Sequence, residues 1–305
     1  MIKLAGVVIT YNDGFKFEEW CKWYDAYREE LDLLIIVDNG SEPEYLMRVE
    51  SYFKDAIIIK RSNNGGCTSA YNDGIKCALK DAEVTHIALI GNDIRIERGG
   101  LSKCVRLLDS RDDLGMVAPV LLNADSDIVA DYGCSINKDL SMNPYGVGLS
   151  YQNLEPQMRI CEAVTGGMNV SKRSFYEVVG LQDETLFMYS DEVDMGLRAK
   201  KAGVKMAVTK EAKSWHQHIN MPGNKRRMPF SRYLIARNKV YVAYKHFGLG
   251  RALFVFNKFL FTSMKGMLIC AINGNRVMMT EYKWMLWGAI NGIVRNMEPN
   301  KYSSL

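Results

Sequence analysis

Cysteine is sparse in this 305-residue chain, and the seven that occur are widely scattered. An odd number without any C-x-x-C spacing argues against a disulfide framework and against a thiolate zinc site. We therefore expect a reducing compartment. Proline is also scarce, at 7 residues, and with 48% hydrophobic and 24% charged residues the composition lies outside the disordered and collagen-like classes.

Long uncharged apolar runs are absent as well. The apolar run at the N-terminus is too short for a signal peptide and is followed at once by polar and acidic residues, so we expect a strand there. The longest apolar stretch, residues 249–272, is interrupted by Arg251, Lys258 and Lys265. A spanning helix is therefore not expected, and we predict that membrane contact is peripheral.

Acidic residues are nearly missing from the last part of the chain. Residues 221–305 hold 14 Lys/Arg and two acids, a formal charge of +12, whereas residues 1–220 carry 25 Lys/Arg against 33 acids, or −8. Arg251, Lys258 and Lys265 are spaced by seven, a step that drifts only ~20° around a helix, so they form one basic stripe. An interfacial membrane helix, a core-packed helix with snorkelling bases and a homodimer interface all fit this module. Nucleic-acid binding is not expected, because its aromatic residues belong to apolar helices.

Short apolar runs alternate with helix-length amphipathic stretches through the first half of the chain, a βαβ rhythm typical of α/β proteins with a mostly parallel sheet. Residues 118–167 are loop-rich, a second strand–helix–strand passage covers residues 166–208, and long helices follow from residue 231. We predict an α/β domain at residues 1–225 and a basic, aromatic helical module at residues 226–305. The strands predicted in the first half are 4–10, 33–37, 56–59 and 86–90, and the helices are 17–30, 44–53, 68–80 and 101–109.

Polar motifs follow the first two predicted strands, at the edge where open α/β sheets bind ligands. Residues 10–13 (TYND) follow the first strand, and Tyr11 there suits a nucleobase. Residues 38–41 (DNGS) follow the second strand, where the Asp38 carboxylate can accept a hydrogen bond from a pyrimidine N–H. Ordinary turn chemistry explains the same letters, so neither motif decides the function alone.

Two further motifs suit a diphosphate and a divalent cation. Residues 63–66 (NNGG) open a predicted helix, and exposed N–H groups at a helix N-terminus favour phosphate. Residues 91–93 (GND) end an apolar strand, and the hard carboxylate oxygen of Asp93 suits Mg²⁺ or Mn²⁺ bridged to phosphates. A single carboxylate is a poor metal site by itself.

An acidic cluster and a histidine lie further along the chain. Asp191, Glu192 and Asp194 occupy the first turn of a predicted helix that Ser190 caps, an arrangement that the helix dipole favours without any catalytic role. His216 lies on an extended segment, where a histidine is either a metal ligand or a structural side chain.

Taken together and in this order, the motifs resemble inverting glycosyltransferases of family 2, particularly the rhamnosyltransferase-like and galactofuranosyltransferase-like members. The resemblance covers about residues 4–247 and rests on the strings VVITYND, VDNGS, NNGGCTSAYNDGI, GND, VTGGMNVSKRSFYEVVG, FMYSDEVDMGLRAKKAG, WHQH and RYLIARNKVYVAYKHFG. It implies the GT-A fold, a Rossmann-like nucleotide-sugar-binding sheet flanked by helices, here with a C-terminal helical extension. It also implies sugar transfer from a nucleoside-diphosphate donor to a hydroxyl, with inversion, assisted by Mn²⁺ or Mg²⁺.

The resemblance implies a role for each motif. Asp93 matches the position that carries the cation, and His216 falls where a second ligand is common. Glu192 falls at the position of the catalytic base, with Asp191 before it, and which of the two faces the acceptor stays open. Arg237 is assigned near the diphosphate. The other donor-binding positions are Thr10, Tyr11, Asn12, Asp38, Asn64, Gly65 and Asn92, and the loop beneath donor and acceptor contributes Gly166, Gly167 and Trp215.

Two departures from the family pattern are present. The family commonly has two or three acids where this chain has residues 91–93 (GND), so reduced metal affinity is expected, and the base position holds Glu instead of the more frequent Asp. A catalytically weakened nucleotide-sugar-binding or scaffolding protein is therefore the alternative, although Asp93, Glu192 and His216 are all retained. A nucleotidyltransferase lacks support because no Gly-rich basic loop follows the first strand. The G-x-G-like string at residues 248–253 lacks the final glycine of a dinucleotide site.

The resulting prediction is a metal-dependent glycosyltransferase of bacterial surface polysaccharide synthesis. Its expected partners are dTDP-rhamnose or a UDP-sugar as donor, a glycan or lipid-linked glycan as acceptor, and an anionic membrane surface. We expect a cytoplasmic protein docked at the inner face of the cell membrane through its C-terminal module, with a homodimer as the other use of that module.

Overall fold

The computed structural model describes residues 3–165, 167–217 and 227–298. The predicted domain boundary between residues 225 and 226 lies outside these ranges and stays a prediction. By its packing the chain forms two compact units. The first contains the residues up to Ile136, Met142–Gln182 and the residues from Met195 through the last strand, and the second contains Asn137–Ser141, Asp183–Asp194 and the C-terminal helices.

The elements of the described residues alternate in the first half and become helical at the end. The strands are β1 (Leu4–Thr10), β2 (Leu33–Asp38), β3 (Ile57–Lys60), β4 (His86–Gly91), β5 (Ile94–Ile96), β6 (Leu114–Asn123), β7 (Val129–Asp131), β8 (Cys134–Ile136), β9 (Met142–Pro144), β10 (Met158–Cys161), β11 (Met168–Lys172) and β12 (Lys205–His216). The helices are α1 (Phe17–Tyr27), α2 (Pro43–Tyr52), α3 (Cys67–Leu79), α4 (Gly100–Asp109), α5 (Arg173–Val179), α6 (Asp191–Lys201), α7 (Arg227–Asn273) and α8 (Arg276–Ile293).

The first unit is built on a mixed sheet in the order β10-β12-β6-β11-β4-β1-β2-β3. In the described part, four of its seven neighbouring pairs are parallel: β1 with β2 and with β4, β2 with β3, and β6 with β12. The strands and helices predicted for the first half are confirmed. The apolar runs of β1, β2 and β4 are buried, whereas β3 lies at the edge of the sheet and is partly exposed. In this register Thr10 lies opposite Asp38, and Ile9 lies opposite Gly91, so the polar ends of three strands meet at one edge.

The middle of the chain differs from the predicted loop-rich stretch. β6 lies inside the sheet between β11 and β12, and all but two of its ten residues are buried. Gly115 and Pro119 interrupt its apolar run, and both residue types are unusual inside a strand. The sequence pattern therefore concealed a strand that the fold places near the centre of the sheet.

Two strands near the site also depart from the prediction. β12 continues to His216, well beyond the predicted end at residue 208, with a register shift between Thr209 and Lys213 that accommodates its polar half. β11 runs antiparallel to both β4 and β6, which makes the sheet mixed. The longer β12 matters for function because its last residue is the predicted metal ligand.

The second unit is built on α7 and α8, which cross at two glycines. A Cβ atom at Gly288 would lie 2.1 Å from the carbonyl oxygen of Tyr233, and one at Gly292 would lie 2.4 Å from that of Arg237. The two glycines are about one turn apart on α8, so the missing side chains let the helix backbones approach closely. Further along, α7 bends at Gly248, which has a φ of 77°.

The substitution Gly288→Ala is expected to destabilise this unit. The new methyl group meets the Tyr233 carbonyl, and overpacking of this kind costs about 1–3 kcal/mol. The free energy of unfolding in urea measures the effect. Gly250→Ala is the control, because a Cβ atom there meets open space among the described residues and Ala is favoured over Gly in a helix by up to about 1 kcal/mol. If Gly288→Ala and Gly250→Ala had the same free energy of unfolding, the close approach of α7 and α8 at Gly288 would be contradicted.

Beyond its bend, α7 exposes large apolar side chains. Phe254, Phe261 and Leu268, spaced by seven, are 52%, 68% and 64% exposed. The helix from Pro229 to Asn273 is long and apolar enough to cross a membrane, and 22% of its most apolar stretch is buried. The prediction against a spanning helix relied on three interrupting bases, but an 18-residue window of this helix holds no more than two charged residues. Length and composition alone are weak evidence for a span.

Candidate active site

The carboxyl ends of β1, β2 and β4 bring three predicted donor-binding residues to one edge of the sheet. Thr10, Asp38 and Asn92 are all buried there. The Asn92 side-chain amide donates to the Thr10 hydroxyl at 3.3 Å and to Asp13 at 2.7 Å. Because Thr10 also lies opposite Asp38 in the sheet register, the three loops that follow these strands form one polar surface.

The two carboxylate oxygens of Asp38 differ in their hydrogen bonding. Its Oδ2 accepts a hydrogen bond from the Ser41 backbone N–H at 3.1 Å, whereas its buried Oδ1 has no hydrogen-bond partner among the described residues. A buried acceptor without a donor costs free energy, so a ligand N–H that reaches this oxygen would be stabilised. The neighbouring Tyr11 is 36% exposed, which leaves its ring accessible to such a ligand.

Asn12, Asn64 and Gly65 belong to the framework that connects these loops. The Asn12 backbone N–H donates to the Ser41 hydroxyl at 2.9 Å. The side-chain amide of Asn39 donates to Asn64 Oδ1 at 2.9 Å, and its own oxygen accepts from the Gly65 N–H at 3.1 Å. These bonds place Asn64 and Gly65 beside the loop after β2, at the start of α3. Their direct contact with a donor stays a prediction.

Asp93 lies between a histidine and a lysine. Pairing of β12 with β5 sets His216 opposite Ile94, and the His216 Nε2 lies 3.4 Å from Asp93 Oδ2. The ammonium of Lys16 lies 3.8 Å from the same oxygen and 3.3 Å from Asp13, and Lys16 is only 8% exposed. Burial works to raise the pKa of Asp93, but the hydrogen bond with His216 and the charge of Lys16 hold it below its ordinary value.

Asp93 and His216 fit one divalent cation. A carboxylate oxygen and an imidazole nitrogen 3.4 Å apart can reach the same ion, and Mn²⁺ accepts both kinds of ligand. Within the described ranges no group of three or more His, Cys, Asp and Glu side chains is placed to hold a metal. Phosphate oxygens and water would therefore have to complete the coordination, which is usual for a cation bound together with a diphosphate.

Sequence reasoning missed Lys16. A 3₁₀ turn over Gly14–Lys16 follows the first motif and returns the lysine toward Asp13, three residues earlier. A lysine three residues after an acid in a loop is common, so this spacing alone carried little information. Only the burial of Lys16 beside Asp93 identifies it as part of the site.

The predicted donor and acceptor loop is only partly described. The Gly167 carbonyl accepts from the Gly91 N–H at 2.8 Å, which places Gly167 at the end of β4 beside the GND motif. Trp215 donates its indole N–H to the Ser126 carbonyl at 3.1 Å and is bonded into the first unit. Gly166 lies outside the described residues.

The second unit contains the acidic pair at the start of α6. Asp191 and Glu192 are half-buried, and they follow three non-glycine residues with positive φ, Phe187, Tyr189 and Ser190. Burial and then the neighbouring charge of Glu192 raise the pKa of Asp191 well above its ordinary value. Two adjacent carboxyl groups, one of which has a raised pKa, are suited to acid–base chemistry.

Asp194 and Arg237 are bonded within the second unit. Asp194 is fully buried and pairs at 2.8 Å with both the Lys245 ammonium and the His246 Nε2, so it has a structural role. Arg237 is fully buried too, and its guanidinium donates to backbone carbonyls, among them that of Leu186 at 3.0 Å. The predicted role of Arg237 near a diphosphate stays a prediction, since these contacts are with the protein's own backbone.

Comparison with known proteins agrees with this geometry. The sequence pattern of glycosyl transferase family 2 matches residues 8–133. An N-acetylglucosaminyl-diphospho-decaprenol L-rhamnosyltransferase of Mycobacterium tuberculosis is 30% identical over 273 residues, which are 82% of this chain and 87% of the relative.

Solved structures of low sequence identity share the architecture and confirm the predicted GT-A fold. GalNAc-T7 with UDP, GalNAc and Mn²⁺ has a TM-score of 0.62 at 14% identity, over 79% of this chain and 47% of that one. The mannosyltransferase PcManGT from Pyrobaculum calidifontis, in complex with GDP-Man and Mn²⁺, has a TM-score of 0.53 at 14% identity, over 95% and 87%. From the family pattern and the relative that covers most of both chains, the chain belongs to glycosyl transferase family 2, as a rhamnosyltransferase-like member.

Proposed function

We propose that this glycosyltransferase moves a sugar from dTDP-rhamnose or a UDP-sugar to a hydroxyl of a lipid-linked glycan, with inversion at the anomeric carbon. The observation that carries the proposal is the edge that joins the buried Oδ1 of Asp38, which has no hydrogen-bond partner among the described residues, to the charged group around Asp93. Such a donor carries a pyrimidine N–H on its base and a diphosphate between its nucleoside and its sugar. The name of the mycobacterial relative supports rhamnose as the sugar and a polyprenyl-diphosphate glycan as the acceptor.

The chemistry needs a general base for the acceptor hydroxyl and positive charge that neutralises the leaving diphosphate. It also needs little negative charge beside the base. Glu192 takes the proton of the acceptor hydroxyl as that oxygen attacks the anomeric carbon. Burial and the charge of Glu192 raise the pKa of Asp191, which favours its protonated form and reduces the negative charge beside Glu192. A divalent cation held by Asp93 and His216 would neutralise the departing diphosphate when bound. Lys16 adds a fixed positive charge at the same edge.

The test is transfer from a panel of UDP- and dTDP-sugars to a polyprenyl-diphosphate-linked N-acetylglucosamine. Release of the nucleoside diphosphate measures turnover, and the proton spectrum of the product gives the anomeric configuration. A product inverted relative to its donor supports the proposal. Donor binding without transfer from any member of the panel would instead favour the nucleotide-sugar-binding scaffold.

Lys16→Met is expected to change the affinities of two ligands in opposite directions. The substitution removes a positive charge 3.8 Å from Asp93, so Mn²⁺ should bind more tightly, while UDP in the presence of EDTA should bind more weakly. At the effective dielectric of a partly exposed site, a change of about tenfold is expected for each ligand. Calorimetric titration with Mn²⁺ alone and with UDP in EDTA measures both. Lys22→Met, an exposed position on α1, is the control, and equal changes in both variants would contradict the role of Lys16.

The second unit is proposed to dock on an anionic lipid surface at the inner face of the cell membrane. Two bases of the predicted stripe are already engaged, since Arg251 donates to the Lys138 carbonyl and Lys258 pairs with Asp139. The apolar side chains that α7 exposes beyond its bend therefore supply the main attraction, and the +12 charge of residues 221–305 adds long-range attraction to anionic lipid.

Flotation with vesicles containing anionic phospholipid tests this docking. Wild type should float, and combined Phe254→Ser, Phe261→Ser and Leu268→Ser should reduce the bound fraction at least about tenfold, because each apolar side chain is worth about 1.5–3 kcal/mol when buried. The matched control replaces three apolar residues of similar exposure in the first unit: Met47, Val147 and Val178. Unchanged flotation of the α7 variant would refute docking, and a change in sedimentation mass instead would indicate a homodimer interface.

A further inference from the structure

The acidic pair follows a backbone conformation that residues with side chains rarely adopt. Phe187, Tyr189 and Ser190 have φ values of 65°, 69° and 65°. Positive φ is uncommon outside glycine, and three such residues within four positions persist only where surrounding contacts determine the conformation. The loop of residues 185–190 must therefore be held by its neighbours.

Asn238 on α7 supplies a concentrated set of these contacts. Its side-chain Nδ2 donates to the carbonyl oxygens of Leu186 at 2.9 Å and of Met188 and Tyr189 at 2.8 Å each, so three carbonyls share its two hydrogens. Arg237 sets the orientation of the amide, because its Nε–H donates to Asn238 Oδ1 at 2.9 Å. With the oxygen used as an acceptor, the NH₂ group is directed at the loop.

Arg237 holds the beginning of the same loop. Its Nη2 donates to the carbonyl of Thr185 at 3.3 Å and to that of Leu186 at 3.0 Å. Arg237 and Asn238 are both fully buried, so a bond that is lost here leaves a polar group without water to replace the partner. The pair therefore constrains the loop more strongly than the same bonds would at the surface.

α7 also holds both ends of the segment that contains the acidic pair. The Lys245 ammonium bridges Asp183 at 2.7 Å and Asp194 at 2.8 Å. These two acids flank the loop and the first turn of α6. The segment 183–194 is thus fixed at its ends by Lys245 and in its middle by Asn238.

We infer that Asn238, oriented by Arg237, is a positioning residue that holds residues 185–190 in the strained conformation that presents Asp191 and Glu192. The inference rests on the proposed function, because it takes this pair to contain the base. It assigns to the Arg-Asn dipeptide on α7 a task that differs from contact with the donor. The conformation of residues 185–190 and the catalytic use of Asp191 and Glu192 then both depend on the buried side-chain amide of Asn238.

Asn238→Asp tests the inference, because it keeps the shape of the side chain and removes both N–H donors. We expect kcat to fall at least about 100-fold with the donor KM within about threefold of wild type, and the acid limb of the kcat–pH profile to shift. Amide hydrogen exchange at residues 186–190 should become at least about tenfold faster. Asn291→Asp is the matched control, because Asn291 on α8 is buried and donates to the Tyr233 hydroxyl at 2.8 Å.

Three results would overturn the positioning role: wild-type kcat in Asn238→Asp, unchanged exchange in the loop, or the same losses in Asn291→Asp. Glu192→Gln, assayed in parallel, separates this inference from the proposed function. If Glu192→Gln is inactive while Asn238→Asp turns over normally, only the positioning role fails. If Glu192→Gln keeps wild-type turnover, the assignment of the base fails, and hydrogen exchange still decides whether Asn238 holds the loop.

Discussion

Glu192→Gln is expected to lower kcat by about 10²- to 10⁴-fold, the loss that removal of a general base produces. This corresponds to about 3–5 kcal/mol of transition-state stabilisation. Glutamine keeps the size of the side chain and its place in the first turn of α6, so the KM for the donor should change little. Steady-state kinetics of the full chain with the best donor of the panel measures both parameters.

Asp191→Asn separates the roles of the two carboxyl groups. Burial and the charge of Glu192 raise the pKa of Asp191, so its ionised form is disfavoured in the folded state. A carboxyl group of this kind costs stability as the pH rises above its unfolded value of about 3.9. Asp191→Asn should therefore raise the free energy of unfolding, with a gain that grows above about pH 4 and vanishes below it. Its kcat should fall less than that of Glu192→Gln.

Glu177→Gln, at an exposed carboxylate on α5, is the control for loss of a negative charge. Wild-type kinetics are expected for this variant. An inactive Asp191→Asn together with an active Glu192→Gln would transfer the role of base to Asp191. Near wild-type turnover in both would remove the acidic pair from the mechanism.

The fold was predictable where burial is continuous and the turns are polar. β1, β2 and β4 are short apolar runs with polar residues directly after them, so both their extent and the edge at which they end follow from the pattern. β6 was not predictable in this way, because Gly115 and Pro119 interrupt a strand that tertiary packing nevertheless buries. The polar half of β12 is likewise stabilised by its neighbours on both sides, β5 and β6, and not by its own composition.

The residues of the candidate site also fall into two groups: those whose position the local sequence predicts and those whose position depends on tertiary packing. Thr10 and Asp38 end β1 and β2, and Asn92 directly follows β4, so parallel pairing was enough to predict that they meet. The environment of Lys16 and the buried contacts of Arg237 depend on side chains from distant segments, and no local spacing contains that information. Sequence resemblance found the dipeptide on α7, but only the folded chain relates it to the loop before the acidic pair.

Asp93→Asn is expected to abolish the metal-dependent part of nucleotide binding. In wild type with Mn²⁺, a nucleoside diphosphate at about 100 times its Kd should add about 2.7 kcal/mol to the free energy of unfolding. The substitution removes the carboxylate whose Oδ2 lies 3.4 Å from His216 Nε2, and an amide oxygen is a weaker ligand for a divalent cation. Thermal unfolding with UDP or dTDP, in Mn²⁺ and in EDTA, measures the difference, and kcat should fall by about 10²- to 10³-fold.

The comparison of protection in Mn²⁺ with protection in EDTA also shows how much of the diphosphate charge is neutralised by the cation and how much by Lys16. Asp125→Asn is the control, because Asp125 is an exposed carboxylate that pairs with Arg95. This variant should be protected by the nucleotide as wild type is, both in Mn²⁺ and in EDTA. Because Lys16 remains in Asp93→Asn, some protection by the nucleotide alone should persist there, and it should fall further when Lys16→Met is added, since the nucleotide then binds about tenfold more weakly. If wild type is protected equally in Mn²⁺ and EDTA, Asp93 is not a metal ligand in the donor complex. The chain would then neutralise its leaving group with its own buried lysine, a use that fits the reduced acid content of the GND motif.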